Sequence, residues 1–176
     1  MSSRLSLPTL DSVNDQSNLL VAGLVLILII ARQLRPRPVR EERPYTVIAI
    51  LAVVGLAETA SFAGNHTVSA SAWTLLALSF LMALGFGALR GATVHLWRAD
   101  GVLTRQGNLV TIALWVVGLA IHLGIDRLIE DNDSAAKGLG STALLLYLGI
   151  TLAAQRVVTL ERARRMDQLE RSISAT

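Results

Sequence analysis

Residues 72–91 read AWTLLALSFLMALGFGALRG, a run whose only charged side chain is Arg90, close to its C-terminal end. An α-helix needs roughly 20 predominantly apolar residues to cross the hydrocarbon core of a bilayer. This stretch therefore predicts a membrane-spanning helix.

Four other stretches have the same length and character. The composition agrees with a membrane protein, since 52% of the residues are hydrophobic and 16% are charged. In soluble domains, about a quarter of all residues are charged. We predict an all-α polytopic transmembrane bundle within residues 17–158, preceded by an outer polar segment, 1–16, and followed by a cytoplasmic amphipathic helix, 159–176. The five predicted spans are Ser17–Leu34, Thr46–Gly64, Ala72–Gly91, Asn108–Ile125 and Gly138–Val158.

The basic residues favour one side of these spans. Thirteen of the sixteen follow the first, third or fifth span or lie at its C-terminal end, while Arg4, Arg127 and Lys137 are on the other side. Because cytoplasmic loops carry the excess of Lys and Arg, the N-terminus is predicted outside and the C-terminus in the cytoplasm. The predicted location is the cytoplasmic membrane of a bacterium.

Composition argues against several other classes of protein. The sequence pI near 10.2 could suggest nucleic-acid binding, but basic residues beside spans serve orientation and attraction to anionic lipid. The chain has no cysteine, so disulfides and thiolate metal sites are excluded. No metal, cofactor or catalytic motif is predicted.

Glu58 is the most unusual intramembrane residue, about twelve residues into the second predicted span. Ionisable groups at membrane depth are costly and suggest a functional site. His122, in the fourth span, can share its depth and is the predicted partner, with Ser79 among the residues that could add hydrogen bonds. The pair either holds or relays a proton or is a structural hydrogen bond between helices.

Two further features of the sequence predict contacts. Ala83, Gly87 and Gly91 recur every fourth residue, which is typical of close helix packing in lipid. That packing is either within the chain or between two copies. After the first span, an extended basic strap that ends at Pro44 predicts contact with anionic lipid or a partner, or is simply a turn; its basic residues are Arg35, Arg37, Arg40 and Arg43.

The segment after the third span contains a turn signal. Within residues 95–104, Asp100-Gly101 joins two runs of roughly alternating polarity, and Asp-Gly is a strong hairpin signal. Either a small hairpin follows the span, or the helix continues to Arg98 and then turns.

Several motifs together resemble the CcdC-like family of small multi-pass bacterial membrane proteins of unknown function, in its actinobacterial branch. They are RQLR at 32–35, GALRGATVHLWR at 87–98, Asp100-Gly101 and ALWVV at 113–117. The resemblance covers most of residues 18–160 and implies no catalytic residues.

The sequence favours a non-enzymatic role in the membrane. We predict an accessory or assembly factor that packs against a membrane-protein partner or a second copy of itself, through the small-residue face, the basic strap and the C-terminal helix. The alternative is a small proton-linked transporter centred on Glu58 and His122, although no inverted repeat is evident.

Overall fold

The structure is a computed structural model that describes residues 35–39 and 45–174. From Pro36 onward, the described residues belong to one compact unit. Its elements, in chain order, are β1 (Arg37–Pro38), α1 (Thr46–Asn65), α2 (Ala70–Thr93), β2 (His95–Ala99), β3 (Val102–Gln106), α3 (Leu109–Asn132), a 3-10 turn (Ser134–Ala136) and α4 (Leu139–Ser174).

All four helices are long and apolar enough to cross a membrane. They coincide with the last four predicted spans, although α3 and α4 are longer than predicted. The first predicted span, Ser17–Leu34, and the polar segment 1–16 lie outside the described residues. Side chains such as Val53 and Leu81 remain exposed on the outer faces of the helices, as expected where lipid rather than protein covers a helix.

Helix α4 is the central element of the bundle. It packs extensively against α1 and α2, while α3 packs mainly on α2. Gly55 of α1 lies so close to α4 that a Cβ atom there would be 2.2 Å from the backbone nitrogen of Leu146. Small residues thus permit the helix contacts that hold the bundle together.

The small-residue face of α2 also packs on α4. A Cβ atom at Gly87 would lie 2.4 Å from the carbonyl oxygen of Thr151, and one at Gly91 would lie 2.7 Å from that of Gln155. Ala83, on the same face, is fully buried. Within this chain the face packs on α4, which is the first of the two alternatives, so it is not the surface that a partner would use.

A three-stranded antiparallel sheet lies at one end of the bundle, called here the sheet end, and its order is β1-β3-β2. The all-α prediction was therefore wrong in this region. The hairpin alternative is confirmed, because β2 and β3 pair with Ala99 opposite Val102. Asp100 and Gly101 both have positive φ, at 50° and 77°, as a two-residue turn with the twist of a hairpin requires.

Part of the basic strap forms the other edge of this sheet. Arg37 pairs with Arg105 and Pro38 with Thr104, and the Val39 amide donates to the Leu103 carbonyl at 2.8 Å. Proline is tolerated here because an edge strand leaves one row of amides unused.

The C-terminal helix is not a separate element. Helix α4 runs without a break for 36 residues, so the predicted boundary between residues 158 and 159 falls inside it. At 1.5 Å per residue it extends about 54 Å, which exceeds the roughly 30 Å of a hydrocarbon core. Its last turns lie beside the hairpin, where Arg98 pairs with Asp167 and Glu170.

Candidate functional site: two buried polar clusters

The first cluster joins three helices around His122. This α3 residue is 2% exposed, and its Nδ1 atom lies 2.7 Å from the hydroxyl oxygen of Ser79 on α2. The His122 ring stacks on that of Tyr147 of α4, with 4.3 Å between centroids. We call Ser79, His122 and Tyr147 the His122 cluster.

Tyr147 fixes the position of this cluster. Its hydroxyl donates to the Gly118 carbonyl at 2.7 Å, one helical turn before His122. Gly118 is needed for this approach, since a Cβ atom there would lie 3.1 Å from the tyrosine oxygen. The imidazole of His122 is therefore stacked on the Tyr147 ring and hydrogen-bonded to a hydroxyl at Nδ1. Its second ring nitrogen, Nε2, takes part in neither contact.

Two buried polar atoms near the cluster have no hydrogen-bond partner among the described residues. They are Nε2 of His122 and Oδ1 of Asp126, one turn further along α3, although both side chains approach the backbone of Gly140 on α4. The Asp126 carboxylate occupies space beside Gly140, where a Cβ atom would lie 2.0 Å from Oδ1. An imidazole and a carboxyl group with unused valences can each hold a proton, so proton binding is the chemistry that this cluster can perform.

The predicted pair of Glu58 and His122 is not formed. Glu58 is exposed on α1, whereas Gly55 and Thr59 of the same helix are buried. Within the part of the chain that the structure describes, Glu58 has no hydrogen bond or ion pair, and His122 bonds Ser79 instead. Ser79 was expected to add hydrogen bonds, and it is the residue that the structure brings to the imidazole.

The second cluster lies nearer the sheet end and contains a buried cation. Arg90 is 1% exposed, and its Nη2 atom donates to the side-chain oxygen of Gln155 at 2.5 Å. The guanidinium carbon lies 5.1 Å from the centre of the Trp115 ring. Arg90, Trp115 and Gln155 are called the Arg90 cluster.

The Arg90 cluster also contains unsatisfied groups. Nε of Arg90 and Nε1 of Trp115 are buried without an acceptor among the described residues. Both residues line a cavity of about 10 Å³, together with apolar side chains and with Thr151 and Tyr147. A cavity of this size is close to the lower limit for one water molecule.

The arginines of the basic strap are only partly described. Arg35 is exposed, and Arg37 contributes its backbone to β1. Arg40 and Arg43 lie outside the described residues. Lipid or partner contact by these four side chains stays a prediction.

Sequence reasoning did not identify most of the two clusters. Arg90 was used only as a marker of orientation, and Asp126 was not predicted as a site residue. A signal was present in both cases, since each is an ionisable residue within a long apolar helix. The described residues contain no group of three or more His, Cys, Asp or Glu side chains arranged to hold a metal ion.

Comparisons with known proteins did not assign the chain to a family. No family model matches the chain, and neither the curated proteins nor the solved structures gave a match. The CcdC-like assignment stays a prediction from the sequence motifs.

Proposed function

We propose that this protein is a non-enzymatic accessory or assembly factor that binds a membrane-protein partner at the sheet end of its bundle. The observation that carries the proposal is the braced extension of α4. We define the sheet-end module as strands β1 to β3 with residues 159–174 of α4.

The extension is held by side chains and not only by its connection to the span. Arg162 Nη1 donates at 2.9 Å to two carbonyl oxygens, those of Gly91 and Val94, where α2 leads into β2. Further along, Arg98 of β2 bonds Asp167 and contacts Glu170 at 2.7 Å. These contacts fix the direction in which the extension leaves the bundle.

The extension also presents exposed apolar side chains. Leu169 is 64% exposed and Ile173 is 74% exposed, and their spacing of four residues places them on one helix face. Exposed arginines flank this stripe at positions 165 and 171. The complementary surface is an apolar groove with an acidic rim, as in other recognition of an amphipathic helix.

We place this module in the cytoplasm. The proposed topology has five spans, with the N-terminus outside, in the cytoplasmic membrane of a bacterium, and the protein is proposed to be CcdC-like. The asymmetric distribution of arginine supports this orientation. The strap arginines would then lie beside the anionic leaflet, where each adds about 1 kcal/mol of attraction.

Site-directed photo-crosslinking in native membranes tests the proposal. A photoreactive residue at position 173 should crosslink to one membrane protein at high yield, and Leu169→Asp should abolish the product. Ser172→Asp is the matched control, because it adds the same charge at a neighbouring exposed position without removing apolar surface. A crosslink only to lipid, or one that survives Leu169→Asp, would contradict the proposal, and a crosslink to a second copy would identify a homo-oligomer.

Proton-linked transport is the second candidate, and the unpartnered atoms of His122 and Asp126 favour it. The site would then be centred on His122 and Asp126 rather than on Glu58. Proton flux into vesicles should fall with His122→Gln and Asp126→Asn and persist with Glu58→Gln. Equal flux in all three variants and in empty vesicles excludes this candidate.

A further inference from the structure

Glu58 carries an exposed carboxyl group at membrane depth. It lies twelve residues after the start of α1 and seven before its end, which is about 18 Å and about 10 Å along the helix axis. Within the part of the chain that the structure describes, it forms no hydrogen bond or ion pair. Because hydrocarbon contains no water, a polar group at this depth is costly unless another polar group meets it. The carboxyl group therefore needs a partner from outside the described bundle.

Helix α1 has room for such a partner. It packs mainly on α4, and only 11% of its apolar stretch is buried, compared with 28% for α2 and for α4. Val54, Ala57 and Ser61 share a side of the helix with Glu58, since they lie three or four residues from it, and all are exposed. We call these four residues the Glu58 face.

The Glu58 face differs from the exposed surface nearer the start of α1. There the exposed side chains are large and apolar, as at Val47 and Ile50, which suits contact with lipid tails. In the Glu58 face, Ala57 and Ser61 are small and four residues apart, a spacing that lets two helix backbones approach closely in a membrane. The combination of small residues with one carboxyl group favours contact with another helix over contact with lipid.

A second copy of the chain brings a matching group to the required depth. Two copies inserted with the same orientation can be related by a two-fold axis along the membrane normal, which places their Glu58 side chains level with each other. Such an interface uses the same patch on both subunits, so the patch must complement itself. A neutral carboxyl group does so, because it has one O–H donor and a carbonyl acceptor, and an apolar environment favours neutral groups over ions.

We propose that this protein forms a homodimer through the Glu58 face, in which the two carboxyl groups are hydrogen-bonded to each other. Each Glu58 side chain donates its O–H to the carbonyl oxygen of the other, while Ala57 and Ser61 permit the close approach of the two α1 helices. A different protein would have to present its own polar group at this depth, whereas a second copy does so by symmetry. The interface lies on α1 and not on the sheet-end module, so it does not depend on the proposed function.

Disulfide crosslinking in native membranes tests the proposal, since the chain has no cysteine. On oxidation, Ala57→Cys should give a dimer with twice the 18.9 kDa mass of the chain. Leu56→Cys is the matched control, because Leu56 is 60% exposed and lies at nearly the same depth, on the opposite side of the helix from Glu58. The proposal is overturned if Ala57→Cys gives no dimer, crosslinks only to another protein, or gives no more dimer than Leu56→Cys.

A second experiment shows whether the carboxyl group itself holds the dimer. Energy transfer between labelled copies of the full-length protein in liposomes measures the dimer fraction. Glu58→Gln keeps a donor and an acceptor in the same shape and should remain dimeric, whereas Glu58→Leu removes both and should weaken dimerisation roughly tenfold, as expected for lost hydrogen bonds between helices. Leucine suits a lipid-facing position, so Glu58→Leu should keep its Tm as a monomer. Dimerisation of Glu58→Leu at the level of the unmodified protein would overturn the proposal.

Discussion

Nδ1 of His122 on α3 lies 2.7 Å from the hydroxyl oxygen of Ser79 on α2, although the two residues are 43 positions apart in the sequence. Ser79→Ala leaves the buried imidazole nitrogen without its partner. Hydrogen bonds between membrane helices contribute about 0.6–2 kcal/mol, so we expect a loss of about that size in the free energy of unfolding, measured by steric trapping in bicelles. Ser71→Ala is the control, since Ser71 is exposed and its hydroxyl bonds that of Ser69 on the same helix end; an equal loss there would contradict the prediction.

Gly55 determines how closely α1 approaches α4. In Gly55→Ala the new Cβ atom would overlap the backbone at Leu146, which cannot rotate away as a side chain can. We expect destabilisation by about 1–3 kcal/mol, the usual range for overpacking. Gly85→Ala is the matched control, because nothing lies within 4 Å of a Cβ atom at that position, and it should be neutral or slightly stabilising. If both variants unfold alike, α1 and α4 do not approach each other as closely as Gly55 indicates.

Asp133 links α3 to the start of α2 outside the spans. Its carboxylate accepts from the Ser69 amide at 2.8 Å, and this bond is the main reason why the pKa of Asp133 lies below its ordinary value. A lowered folded pKa gives stability that is fully present above the unfolded value, about 3.9, and that is lost as the pH falls through the lower folded value. Asp133→Ala should therefore reduce the Tm at pH 7 and diminish its decline below pH ~4.

Two further variants complete the Asp133 experiment. Asp133→Asn retains an acceptor oxygen but cannot titrate. It should therefore lower the Tm at pH 7 less than Asp133→Ala does, and its Tm should decline less at low pH than that of the unmodified protein. Asp131→Ala removes an exposed carboxylate nearby and should leave both properties unchanged. If the pH dependence of the Tm were unaltered in Asp133→Ala, the bond between Asp133 and Ser69 would not be the source of that dependence.

Arg98 attaches the end of α4 to the hairpin through Asp167 and Glu170. Because the side chains of these ion pairs are partly exposed to solvent, Arg98→Ala should change the free energy of unfolding by less than about 1 kcal/mol. It should nevertheless accelerate hydrogen exchange in residues 167–174, and high salt should do the same. Arg165→Ala, which removes a pair with Glu161 inside α4, is the control. Unchanged exchange in Arg98→Ala would show that the attachment lies elsewhere.

The sequence was most informative where one local rule decides the structure. Runs of apolar residues predicted the starts of the four described helices within two positions, although α3 and α4 extend beyond their predicted ends, and Asp100-Gly101 favoured the hairpin. The pairing of β1 with β3 was not predictable, because it joins segments about 65 residues apart. For the same reason the contact of Arg90 with Gln155 could not be inferred from either residue alone.

Glu58 shows why depth in a membrane is not enough to predict a site. Counting residues places it level with His122, but only the rotation of α1 decides whether it faces protein. Almost all of α1 is apolar, so hydrophobicity does not distinguish its faces. The small residues do, since Gly55 and Thr59 are buried while the adjacent Glu58 is exposed.

The central position of α4 has a consequence for biosynthesis. Helices α1 and α2 barely touch each other, and each finds its main neighbour in α4, the last of the four to emerge from the ribosome. Helices α2 and α3 can associate before α4 is inserted, since they pack on each other, but α1 would stay in the bilayer without its main neighbour, as insertion before association allows. Only the insertion of α4 completes the bundle, so a ribosome that stalls within α4 would leave α1 unpacked and exposed to membrane proteases.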